Sequence, residues 1–223
     1  TDPSTASRTL LYNIHTLHWD DDLLDLFGIP RDLMADVLYS TDDFGVIAHP
    51  DMICAGIPIV ASLVDQPSAM VGHGCLRAGD IKATYGTGCF INMNTAMTPI
   101  ESPDRLLTLV AGSRNCVPTY GLDGGVLTAG ACINWLKEKL RLFESPSDID
   151  QLCKTVQPNE VVWIPAQIGL GPPYWDRTMR GTFLGLDLES KPENLIFAVL
   201  EGIALRVAQI VKLMQSNAST QVE

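Results

Sequence analysis

An α/β fold is predicted by three features of the sequence. Residues 57–64, reading Ile57-Pro58-Ile59-Val60-Ala61-Ser62-Leu63-Val64, form a β-branched apolar run of strand length, the pattern of a strand buried on both faces. Strand-like segments at 81–85, 89–93 and 106–111 follow around glycine-containing turns. Over 192–214, apolar residues recur at 195/196, 199/200, 203/204, 207, 210/211 and 214, close to the 3.6-residue period of a helix with a buried face.

The elements follow in order along the chain. Residues 20–27 read as a helix with Leu23, Leu24, Leu26 and Phe27 on its apolar side. It stops at Gly28-Ile29-Pro30, where the proline suits the start of a further short helix over 31–38. Asp65 stands at the carboxyl end of the run 57–64, and Gly72-His73-Gly74 makes a turn. The segments 81–85 and 89–93 flank Gly86-Thr87-Gly88, and 106–111 adds a third strand. Gly124-Gly125 precedes a helix over 127–142, a second helical stretch follows Ser147, and 161–164 is a short strand ended by Pro165. The loop 169–175 is rich in turn formers. Such alternation is the mark of an α/β chain, and the glycines and polar residues of 72–79 separate two strand systems, placing a lobe boundary there.

With 223 residues, 46% apolar and 18% charged, the chain can bury a core of one large or two small domains. Its formal charge of −11, without a run of Lys or Arg, speaks against nucleic acid and anionic membranes as partners. The six cysteines (Cys54, Cys75, Cys89, Cys116, Cys132 and Cys153) are scattered with neither disulfide-framework nor zinc spacing, so no metal site is expected and a reducing cytoplasm is the natural setting. The chain starts at Thr1 without a methionine and stops at Gln221-Val222-Glu223 just after a helix, where another strand would be expected; both ends suggest a fragment.

Several residues are candidates for chemistry. A carboxylate ending a buried parallel strand faces the crevice where open α/β sheets bind ligands, so Asp65 is either a general base for a hydroxyl nucleophile or a cap of the helix starting at Gln66-Pro67. Gly86-Thr87-Gly88 is either a turn whose backbone amides approach phosphate oxygens or an ordinary tight turn. Gly130 either admits a flat purine, with Asn134 one turn on to hydrogen-bond it, or permits close helix packing with Asn134 solvated. His15, His18, His49 and His73 have no partner at metal or nucleophile spacing, and Ser4, Ser7 and Ser62 lack a G-x-S-x-G setting. Trp175 reads as loop packing between lobes, and Glu201 as structural.

Four stretches carry a resemblance: residues 7–20 (Ser-Arg-Thr-Leu-Leu-Tyr-Asn-Ile-His-Thr-Leu-His-Trp-Asp), Tyr85-Gly86-Thr87-Gly88-Cys89-Phe90, Gly169-Leu170-Gly171-Pro172-Pro173-Tyr174-Trp175-Asp176, and 181–201. In the last, Gly181, Phe183, Gly185 and Leu186 are followed by Asn194, Leu195, Ala198 and Glu201. Together they resemble the FGGY carbohydrate kinases, most closely the branch that phosphorylates glycerol, and the likeness runs through nearly all of the chain in family order.

The resemblance implies an actin/hexokinase-like fold of two ribonuclease-H-like lobes. Residues 1–76 would complete the first, substrate lobe and 77–223 begin the second, nucleotide lobe. It implies ATP-dependent phosphorylation, with Mg²⁺, of a terminal hydroxyl on a small polyol, glycerol first. Asp65 would be the base, Gln66 a substrate contact and Phe90 an apolar wall behind the polyol. Gly86 and Thr87 would form the phosphate turn, and Gly130 and Asn134 would meet the nucleotide. The sequence departs from the family at Val64-Asp65-Gln66-Pro67, where Gly-Asp-Gln-Gln is usual, and at Asn134, commonly Gln. Because the family's amino-terminal phosphate loop, polyol grip and carboxyl-terminal adenosine loop are not in these residues, the chain alone is expected to be inactive. A homo-oligomer is expected of the whole enzyme. A kinase for another polyol or a ketose, such as erythritol or xylulose, and a non-catalytic binding protein on the same fold remain the alternatives.

Overall fold

The structure, a computed structural model, describes residues 1–115, 117–156 and 160–218; Cys116 and the terminal Gln221-Val222-Glu223 lie outside them. The first part of the chain is mostly short elements: α1 (Pro3–Ala6), β1 (Tyr12–Asn13) paired with β2 (His18–Trp19), α2 (Asp21–Phe27), a 3-10 turn at Arg31–Leu33, and α3 (Asp65–Gly72). Asp20 caps α2 by accepting from Leu23 N, and Gly28 ends it in the left-handed conformation at φ 65°, as the Gly28-Ile29-Pro30 stop predicts.

The second part is built on a four-stranded sheet of β3 (Ile81–Tyr85), β4 (Cys89–Ala96), β5 (Leu107–Arg114) and β6 (Val117–Val126), in the order β3-β4-β6-β5 with every pairing antiparallel. Then come α4 (Gly130–Glu138), α5 (Pro146–Thr155), the β7 (Val162–Ile164) and β8 (Thr182–Leu184) pair, and the long α6 (Pro192–Ala218). A capping box between Ser145 and Asp148 opens α5.

Strand alternation gives the sheet two distinct faces. Cys89, Ile91 and Met93 of β4 and Leu122 of β6 turn toward Cys132 and Leu136 of α4 and toward Ile196, Val199, Ile203, Ile210 and Met214 of α6, forming the main core. By length and composition α6 could also cross a membrane, but here these side chains are buried against the sheet. The opposite face carries Lys82, Asn92, Asn94 and Asp123, all buried, and it is covered by the first part of the chain. There Met70 of α3 and Cys75 pack on Leu109 and Ala111 of β5.

The run 57–64 is not a strand buried in a parallel sheet. Residues 57–60 are extended and exchange backbone bonds with 44–47 (Phe44 N to Ile59 O 2.9 Å, Ile59 N to Gly45 O 2.7 Å), but only Val46 and Pro58 form a bridge, and Ile57 and Val60 are 53% and 62% exposed. Pro58 cannot donate to a ladder, and the run's apolar pattern finds no second strand among the described residues. Asp65 therefore does not end a strand; it is the first residue of α3.

The helix expected over 31–38 is cut to one 3-10 turn. The backbone groups it would need are engaged elsewhere: Ala35 O accepts from Trp19 Nε1 at 2.8 Å, Asp36 O from the chain's amino group at 2.9 Å, and Leu38 N donates to Thr1 O at 2.9 Å. The helix expected over 127–142 forms only over Gly130–Glu138. Strand β6 is absent from the sequence reading because Pro118, Gly121, Asp123, Gly124 and Gly125 are poor strand formers. Close approach explains two of these glycines: a Cβ on Gly124 would lie 2.7 Å from Ile210 Cγ2, and one on Gly121 would lie 2.9 Å from Met93 O.

Gly202 in α6 is similarly constrained, since an added Cβ would meet Trp163 O at 2.5 Å. Helix propensity alone favours Gly202→Ala by about 1 kcal/mol. The backbone clash reverses the sign, and we expect Gly202→Ala to lower stability by about 1–3 kcal/mol in denaturant unfolding. Asp2 provides a pH test. Burial opposes ionisation of its carboxyl, but hydrogen bonds from Ser4, Thr5 and Ser40 outweigh that and hold its pKa below the ordinary value. The resulting stability is present above the unfolded pKa of about 4 and lost as pH falls through the lower folded value. Asp2→Asn should flatten the acid limb of a thermal-melting profile.

Candidate active site

The turn Gly86-Thr87-Gly88 joins β3 to β4, and the amino end of α4 is fastened to it. Ala129 N and Ala131 N donate to Thr87 O at 2.8 and 3.0 Å, and Gly130 N donates to Gly86 O at 2.9 Å. These bonds use amides that the first turn of a helix otherwise leaves unpaired. Gly130 is glycine for a steric reason: a Cβ there would stand 2.5 Å from Gly86 O. The close approach serves this backbone contact rather than demonstrating a purine site.

Beside the turn lies a cleft of about 340 Å³ lined by Tyr85, Gly86, Ala129, Gly130, Ile133, Leu200, Ile203 and Ala204. Its walls are mostly apolar, and backbone of the turn stands at its edge. Asn134 is exposed on α4 and does not line this cleft.

Asp65 is exposed at the start of α3, and its Oδ1 accepts from the Gln66 amide at 2.7 Å. Gln66 Oε1 accepts a short hydrogen bond from Lys82 Nζ, which also donates to Thr84 Oγ1 at 2.8 Å. The helix bearing Asp65 and Gln66 is thus tied to β3, the strand that leads into the phosphate-turn candidate. Burial pushes the Lys82 pKa down, against the opposing pull of the Asp123 and Asp65 charges. Nothing local in the sequence marks Lys82, because a lysine in a strand ordinarily reads as a solvated face.

Phe90 projects from β4 on the same face as Lys82 and Asn92, pairing in register with Thr84. It shares a smaller cleft of about 110 Å³ with Arg8, Leu107, Asp123, Gly125, Pro172 and Trp175. Asp123 is held by Arg8 Nη1 at 2.9 Å and by Asn92 Nδ2 at 3.0 Å. Arg8 and Asp123 carry no local signal either, for they lie 115 residues apart and no sequence pattern links them. Trp175 donates to Arg105 O at 2.9 Å, consistent with loop packing.

Among the described residues no group of three or more His, Cys, Asp or Glu side chains is arranged to hold a metal ion.

Sequence profiles of the FGGY family of carbohydrate kinases match the chain twice: the N-terminal domain over residues 1–72 and the C-terminal domain over 81–223. Among curated proteins, a glycerol kinase of Dichelobacter nodosus is 41% identical over 218 residues, covering 97% of this chain and 44% of the relative. One from Methylobacterium nodulans is 42% identical, with 97% and 43% covered. Among solved structures, Plasmodium falciparum glycerol kinase with ADP superposes with a TM-score of 0.91 at 31% identity, covering all of this chain and 45% of that one. A ligand-bound xylulose kinase of Lactobacillus acidophilus gives 0.82 at 24% identity over 99% of this chain and 45% of its own, a likeness of fold alone. The fold is the actin/hexokinase-like one of sugar kinases, and the chain spans a little under half the length of these relatives.

The Gly130–Gly86 contact is testable by stability alone. Gly130→Ala should displace the turn and lower stability by about 1–3 kcal/mol, with the largest amide chemical-shift changes at residues 86–88. A shift confined to α4 would disprove the coupling.

Proposed function

Because this chain belongs to the FGGY family of carbohydrate kinases, we propose that the whole protein transfers the γ-phosphoryl group of ATP to a terminal hydroxyl of a small polyol, glycerol in the first instance. The observation that carries this reading is the link from α3 through Gln66 and Lys82 to β3. It sets the candidate base and the candidate phosphate turn on one continuous support. Residues 1–76 would form the closing part of the substrate lobe and 77–223 the opening part of the nucleotide lobe.

In this reading Asp65 accepts the proton of the attacking hydroxyl, Gln66 hydrogen-bonds the polyol and Phe90 closes its apolar side. Gly86 and Thr87 receive the phosphates. The apolar cleft beside Gly130 takes the nucleotide, and Asn134, which lies outside that cleft, has a part only in a nucleotide that extends beyond it. Mg²⁺, were it to arrive with the nucleotide, would offset phosphate charge. The exposure of Asp65 supports the assignment, since a base must be reachable by substrate. The glycerol kinases at 41 and 42% identity favour glycerol over a ketose. The free cysteines at 54, 75, 89, 132 and 153 suit a reducing cytoplasm. Self-association of the whole enzyme belongs to the same reading.

A coupled ADP-release assay on the whole protein with glycerol, erythritol and xylulose tests it. Turnover with glycerol should fall by about 10²- to 10⁴-fold in Asp65→Asn. An unaffected mutant would remove Asp65 from the role. Absence of any substrate-dependent rate would favour a binding protein.

A further inference from the structure

We infer that Lys82 is a positioning residue for the polyol end of the site, holding Gln66 at a fixed distance from the phosphate turn. The inference rests on the proposed roles of Asp65 and Gln66. It begins with the register of the sheet. Lys82 of β3 pairs with Asn92 of β4, and Asn92 pairs with Asp123 of β6, so three buried polar residues form a row across neighbouring strands on one face.

In such a row the lysine and the aspartate are the natural ion pair, yet they are not joined. Both oxygens of Asp123 are engaged, Oδ2 by Arg8 and Oδ1 by Asn92. The Lys82 ammonium is directed instead to Gln66 Oε1 and Thr84 Oγ1. A buried ammonium is costly without partners, so the demand of Lys82 for acceptors fixes the Gln66 side chain. Its burial also lowers its pKa, against the opposing charges of Asp123 and Asp65.

The geometry has a functional consequence. With its carbonyl oxygen turned to Lys82, Gln66 points its amide N–H groups the other way, which suits donation to a substrate hydroxyl oxygen. Two residues beyond Lys82, Thr84 pairs with Phe90, and Tyr85 then leads into Gly86. One strand therefore carries the tether of Gln66, the register partner of the apolar wall and the entry to the phosphate turn. Loss of Lys82 frees Gln66 to rotate and to present acceptor and donor indiscriminately.

The test uses steady-state kinetics on the whole protein, with KM measured separately for glycerol and ATP. Lys82→Met and Gln66→Met should each raise the KM for glycerol about 10- to 100-fold while the KM for ATP stays within about twofold, since a charged hydrogen bond is lost or bypassed at the polyol end only. The double variant should be no worse than the weaker single one, whereas independent roles would multiply. Lys82→Arg should recover part of the loss. If Lys82→Met melts too early to assay, Lys82→Gln, which keeps a polar group on the strand but removes the ammonium, should still raise the glycerol KM alone. Equal changes in both KM values, multiplicative losses, or no change would overturn the inference. Asp65→Asn run in parallel separates the two readings: if it stays active, the base assignment falls, and if it is inactive while the Lys82 variants behave like wild type, only the tether falls.

Discussion

A sheet buried on both faces, apolar on one and polar on the other, imposes the constraint on which the rest of this structure depends. The apolar face is satisfied by packing, and α4 and α6 supply it. The polar face cannot be satisfied that way, because each buried polar group left without a partner costs about 1–3 kcal/mol. Its partners come from the first part of the chain: Arg8 to Asp123, Gln66 to Lys82, Cys75 O to Asn94 and Ser40 to Ser113. The relative placement of the two family domains thus follows from hydrogen-bond satisfaction more than from apolar contact, which on this face is confined to the small cluster around Met70.

That division of labour suits a site assembled from both parts. Packing contacts tolerate small slides, whereas hydrogen bonds between buried groups fix distance and direction. The helix bearing Asp65 and the turn at Gly86 are each pinned by hydrogen bonds, partly buried in the first case and at the surface in the second. The glycines act as spacers in the same scheme. At Gly130 and Gly124, missing side chains let a helix come within reach of the turn or strand it supports, and there a methyl group is the difference between contact and clash.

The sequence revealed the parts whose signals are local. The long apolar period of α6, the Gly28 stop, the hairpin around Gly86 and the strand at 162–164 all rest on a few neighbouring residues, and they stand where expected. It failed where tertiary partners decide. The run 57–64 has the composition of an inner strand but lacks flanking strands among the described residues, so its composition misled. Strand β6 has the composition of a loop but is central because glycine is what α6 and the neighbouring strands require. Family motifs brought Asp65, Gln66, Phe90 and the turn to notice, while Lys82, Arg8 and Asp123 emerged only from strand register and from contacts spanning up to 115 residues.

The separation of those contacts along the chain also bears on the order of assembly. The four-stranded sheet closes through neighbouring or nearly neighbouring strands, so its loops are short and its formation is rapid on the scale of loop closure. The bonds from Ser40 to Ser113 and from Arg8 to Asp123 span 73 and 115 residues. During synthesis the segment containing Arg8, Ser40 and Gln66 leaves the ribosome before the strands that will accept it. Arg8 and Ser40 must wait, with their docking groups solvated, until β5 and β6 are made, whereas Gln66 meets Lys82 only 16 residues on. The first part of the chain is therefore the earlier part made and, at Arg8 and Ser40, the later part finished.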